Sequence, residues 1–109
     1  MTDKIIVLTT CAENADAERL ARALVAGRLA ACVSVVPRVR SFYHCKGEIE
    51  SGEEFLLIIK TSRDLFSALC AEMEKLHPYE VPELLALPVV AGAENYLSWL
   101  QANLRGAQE

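Results

Sequence analysis

ACVSVVPRVRSFYHCKGEIESGEEFLLIIKT, residues 31–61, decides the fold. Residues 31–36 are apolar and β-branched, which predicts a strand that meets Pro37. Val39 to Cys45 is extended too, and reads as the same strand continuing past a kink or bulge, because Pro37 has no N–H for a ladder. KGEIESGEE (46–54) holds two glycines and four carboxylates, so it reads as a water-exposed hairpin turn. FLLIIKT (55–61) is a third strand, apolar at consecutive positions, so both of its faces need cover.

Outward on the N-terminal side, DKIIVLTT (3–10) reads as a central strand. Between it and residue 31, Ala17, Leu20, Ala21, Leu24 and Val25 recur at helical spacing, with Asn14 or Asp16 as cap and Gly27 as stop. On the C-terminal side, Thr61 or Ser62 caps a second helix through Leu76, with Leu65, Phe66, Leu69, Cys70, Met73 and Leu76 on its apolar face. Pro78 ends it. LLALPVV (84–90) is a fourth strand, and Tyr96, Leu97, Leu100 and Leu104 line a terminal helix, which Trp99 seals against the sheet.

The order β-α-β-β-α-β plus a helix predicts one α+β domain over residues 1–109, a ferredoxin-like split βαβ sandwich. Two helices cover one sheet face only. The cheapest cover for the other is a second copy of the chain, so a homo-oligomer is expected.

The chain has 11 Lys and Arg against 15 Asp and Glu, a net charge of −4, with the signs mixed along it. No basic stripe exists for a nucleic acid to follow, so that partner is disfavoured. No apolar run is long enough to span a bilayer or form a signal-peptide core, so no membrane partner is expected. The four cysteines, Cys11, Cys32, Cys45 and Cys70, show no CxxC spacing, and with no secretory signal they predict a reduced, cytoplasmic chain. Cys32 and Cys70 fall in apolar patterns and read as core thiols. Two histidines with no GxSxG elbow, Walker loop or dinucleotide turn predict that the protein is not an enzyme.

RLAACVSVVP (28–37), SFYHCKGEIE (41–50), IIKT (58–61), HPYEVPELLALPV (77–89) and YLSWL (96–100), in this order and spacing, resemble the CutA1 family of divalent-cation tolerance proteins. The resemblance implies a ferredoxin-like subunit, a very stable homotrimer similar in plan to the PII signalling proteins, cytoplasmic residence, and association with copper and other divalent metals. It also implies a metal site built from a first-strand cysteine and a histidine at HPY. The cysteine position falls here on Thr9 and the residue before the histidine is Leu76; His77 matches, and Cys11 lies two residues on, on the same strand face. The family's usual tryptophan is replaced by Cys45, beside His44.

His77 and Cys11 are therefore the candidate metal ligands, with Cu(II) favoured over Zn(II) for a thiolate–imidazole pair. Lys60, Tyr79 and Glu83 are the candidates for binding a small ligand, Lys60 by holding Glu83 or an anion in a cleft between subunits. Two functions follow: a trimeric protein of copper binding or tolerance, or a PII-like signalling scaffold that binds a small anion or protein partner.

Overall fold

The computed structural model describes residues 2–106. Strands β1 (Lys4–Cys11), β2 (Cys32–Cys45), β3 (Glu48–Ser62) and β4 (Leu85–Pro88) form one antiparallel sheet of order β2-β3-β1-β4. Helices α1 (Asn14–Ala26) and α2 (Phe66–Leu76) supply the crossovers, and α3 (Glu94–Ala102) follows β4. This is the ferredoxin-like sandwich with a C-terminal helix.

The core lies between the sheet and α1 and α2. Val7, Leu57 and Ile59 point into it from the strands and meet Leu20, Leu24, Leu69 and Met73 from the helices. Alternation sends Ile6 and Leu8 of β1 and Leu56, Ile58 and Lys60 of β3 to the opposite face, where all five are half-buried. At the Lys4 end that face meets α3: Lys4 Nζ donates to Gln101 Oε1 at 2.6 Å, and Leu100 and Leu104 pack with Ala31 and Leu65. The remainder has no covering layer, and Leu85 and Leu87 of β4 are exposed on it.

The continuous second strand is present. Its register shifts between Val36 and Val39, which face Leu56 and Glu54, so three steps on β2 match two on β3. That bulge seats Arg38 in the left-handed region at φ 65°. The turn differs from the sequence reading. Only Lys46 and Gly47, with φ of 53° and 82°, make it, the paired positive φ of a two-residue hairpin loop. Glu48–Glu54 is strand instead, paired with Val39–Cys45 and reaching past the last rung of β1 at Cys11–Phe55. The resulting two-stranded arm stretches the molecule to 48 Å along its long axis.

Other expectations need correction. Asn14 is already inside α1, so neither it nor Asp16 caps the helix; Glu13 precedes it in extended conformation, and Asp16 pairs with Arg19 at 2.9 Å. Cys11 is the fully buried thiol, whereas Cys32 and Cys70 are half-buried at the margins of their layers. Trp99 does not seal α3: it stacks on Tyr96 at 5.7 Å, and both rings are exposed while Leu97 and Leu100 face inward.

Candidate functional site

Where the arm leaves the sheet, the loop after α2 folds over its root and encloses a cleft of about 670 Å³. Thr10 of β1, Ser41 and Tyr43 of β2, Glu54 of β3, and Tyr79 and Glu83 of the loop line it. The bulge makes this cleft possible, because it turns Ser41 and Tyr43 to the same side as Glu54.

Glu54 is the electrostatic centre. Tyr79 Oη donates to its Oε2 at 2.6 Å, and the nearby hydroxyls of Ser41 and Thr10 also favour the charged carboxylate. Burial alone would raise its pKa, but these three donors outweigh it and hold the group below the ordinary glutamate value. Tyr79 responds in the other direction: burial and the adjacent Glu54 carboxylate push its phenol well above the usual range. The cleft is thus a fixed negative charge ringed by hydroxyls, with Glu83 exposed at its rim.

His77 anchors the loop. It is buried at the end of α2, where its Nε2–H donates to Thr10 O at 2.9 Å and its Nδ1 accepts the Tyr79 N–H at 3.1 Å. This fixes a neutral ring, and burial keeps its pKa below 6.5. The bond to Thr10 ties His77 to the residue that precedes Cys11, so the two candidate metal ligands lie toward the same end of β1. The Cys11 thiol leans toward Glu13 O at 3.7 Å, and burial, with Asp16 and Glu54 nearby, raises its pKa. A copper ion needs a deprotonated sulfur and a free imidazole lone pair. Here the thiol keeps its proton and both ring nitrogens are engaged. Among the described residues no three His, Cys, Asp or Glu side chains gather as a metal-ligand group. The donors present do not fit a resident copper ion within one chain.

Of the small-ligand candidates, Tyr79 and Glu83 line the cleft and Lys60 does not. Lys60 lies six residues along β3 from Glu54, and its Nζ donates to Ser34 Oγ at 2.9 Å and contacts Cys32 Sγ at 3.6 Å. The sequence reading missed Thr10, Ser41 and Glu54. Their only sequence signal is the pairing register, which depends on the bulge.

Fold and cleft define a ferredoxin-like protein with an acidic, hydroxyl-lined pocket at the root of a long hairpin. Residues 5–103 match the model of the CutA1 divalent ion tolerance protein family. A divalent-cation tolerance protein CutA of Pectobacterium atrosepticum is 42% identical over 105 residues, spanning 96% of each chain. The solved divalent cation tolerance protein of Thermus thermophilus superposes with a TM-score of 0.90 at 42% identity, covering 93% of this chain and 98% of that one. The chain belongs to the CutA1 family.

The cytoplasmic assignment does not stand. A solved relative from Archaeoglobus fulgidus, 32% identical with a TM-score of 0.89 over 92% of this chain and 97% of its own, is described as a periplasmic divalent cation tolerance protein. Unpaired thiols, as all four are here, are required by a reducing compartment but tolerated in an oxidising one, so they do not fix the location. Among the described residues no helix is long and apolar enough to cross a membrane.

Proposed function

We propose that this protein serves divalent-cation tolerance as a homotrimer that acts as a PII-like scaffold, with the cleft at the arm root as its binding pocket for a small ligand or protein partner. Family membership supports the link to divalent cations. The uncovered apolar sheet face supports self-association, since an exposed face of this kind is rarely left open in a monomer. The projecting arm supports it too, because an isolated two-stranded ribbon is marginal in water. The observation that carries the scaffold over a copper carrier is the engagement of both His77 nitrogens.

A second reading, direct Cu(II) binding by Cys11 and His77, draws on the bond that ties His77 to the residue before Cys11. One measurement tests the trimer that both readings share, and a second separates the two. Light scattering should give about 36 kDa, three times the chain mass of 12.0 kDa. Calorimetric titration of metal-free, reduced protein with buffered Cu(II) should give no saturable site of one ion per chain. A saturable site lost in His77→Ala would establish the copper reading and overturn the scaffold. In a copper-challenged bacterium lacking its own relative, the scaffold reading expects His77→Gln to restore growth as well as the wild type.

A further inference from the structure

Cys32 and Lys60 face each other directly across the β2–β3 ladder. The adjacent rung, Val33 and Ile59, packs against the helices, so Cys32 and Lys60 stand together on the opposite face of the sheet. Side chains opposed in this way begin from Cβ atoms roughly 5 Å apart. The lysine turns across the rung instead of reaching away from it: its Nζ donates to Ser34 Oγ at 2.9 Å and lies 3.6 Å from Cys32 Sγ. Both residues are half-buried, which shelters the pair and leaves it open to a solute as small as peroxide. Among the described residues no carboxylate forms an ion pair with Lys60 and draws the amine off the sulfur. The other thiols stand differently. Cys11 is closed in against Glu13 O, Cys70 has Glu74 beside it, and Cys45 is exposed at the arm tip.

We propose that Cys32 and Lys60 form an oxidation-sensitive pair, which hydrogen peroxide joins through a sulfur–nitrogen bond. In the first step the Cys32 sulfur attacks one peroxide oxygen, the O–O bond breaks, and a sulfenic acid and a water result. In the second, the Lys60 nitrogen attacks the sulfenic sulfur, the S–O bond breaks, and the oxygen leaves as water. Counted from thiol and ammonium, one peroxide is consumed, and the sulfenamide, two waters and one proton are produced. Sulfur is oxidised and peroxide is reduced. An external thiol reverses the bond, restoring the Cys32 thiol and the Lys60 amine as two reductant thiols become a disulfide. Proximity selects this product, because an amine held at 3.6 Å competes as an intramolecular nucleophile with a second molecule of peroxide. The bridge staples β2 to β3 and removes a positive charge from the uncovered face.

Mass spectrometry of the folded, reduced Cys45→Ser protein after exposure to hydrogen peroxide tests the pair; that background lacks the exposed thiol at the arm tip. The intact chain should lose two hydrogen atoms. Residues 29–38 and 47–63 should leave a tryptic digest as one joined species, because trypsin does not cut after a bridged Lys60, and dithiothreitol should part them. Lys60→Arg keeps the positive charge and replaces the amine by a guanidinium, which does not give up its proton to become a nucleophile. With its fold checked by circular dichroism, Cys32 in this variant should gain oxygen instead and be trapped by dimedone as the sulfenic acid. Peroxide that leaves Cys32 unchanged, that only adds oxygen to it while Lys60 is present, or that joins it to another cysteine overturns the pair. A joined species that retains an oxygen atom, or that still forms in Lys60→Arg, overturns the direct sulfur–nitrogen bond.

Discussion

The Tyr79 hydroxyl donates a 2.6 Å hydrogen bond to Glu54 Oε2, joining the loop that leaves α2 to the root of the hairpin arm. Twenty-five residues separate the two groups in the chain, and this bond closes the cleft between them. Tyr79→Phe removes the donor and keeps the ring. It should lower stability by about 1 kcal/mol, at the modest end for a bond to a charged group because Glu54 is partly solvated. It should also raise the Glu54 pKa. Denaturant melts and carboxylate titration by NMR read the two effects; an unchanged titration would show that the bond does not hold the carboxylate.

Stability should fall as the solution is acidified, in two stages. The folded pKa of His77 lies below its unfolded value of 6.5, so the unfolded chain binds a proton that the buried ring refuses, and stability declines as pH drops below about 6.5. Glu54 is likewise depressed below 4.5, so its contribution is present above that value and is lost as pH falls through its folded pKa. His77→Gln keeps a donor for Thr10 O and does not titrate. Urea midpoints at about pH 7.5 and about pH 5 should therefore differ less in this variant than in the wild type.

Thr9 is fully buried, and its hydroxyl has no hydrogen-bond partner among the described residues. Thr9→Val keeps the shape and removes the stranded polar group, so it should stabilise the fold by about 1 kcal/mol. A loss in thermal midpoint would mean that the hydroxyl is satisfied in solution.

The four thiols should react in order of access. Cys45, exposed at the arm tip, should modify fastest with a disulfide reagent, and Cys45→Ser should abolish that phase. Cys11, buried and kept protonated, should react only when the protein unfolds. Rapid modification of native Cys45→Ser at Cys11 would contradict the burial.

The helices and the strand order were legible because each element buries one face and so prints a period of two or 3.6 on the chain. Glu48, Glu50, Glu53 and Glu54 misled for the converse reason. Within one chain the arm lies beyond the layer of α1 and α2, so its backbone is paired while its side chains look like those of a loop. Cys11 was legible in principle: alternation from Ile5 through Val7 and Thr9 points it inward. The cleft was not legible. Thr10, Ser41, Glu54 and Tyr79 are scattered from the first strand to the loop beyond α2, and only the register of the bulged pair brings the first three together.

The bulge between Val36 and Val39 also bears on how the arm finds its pairing. On the near half of β2 the odd-numbered Val33 faces the helices, while on the far half the odd-numbered Ser41 and Tyr43 face the cleft. A hairpin that zipped up without the extra residue would invert the far half, turning His44 toward the side of Glu54 and Ser41 away. That slipped ribbon would leave the carboxylate short of a donor. The hydroxyls around Glu54 thus favour the bulged register of the folded arm over the slipped one.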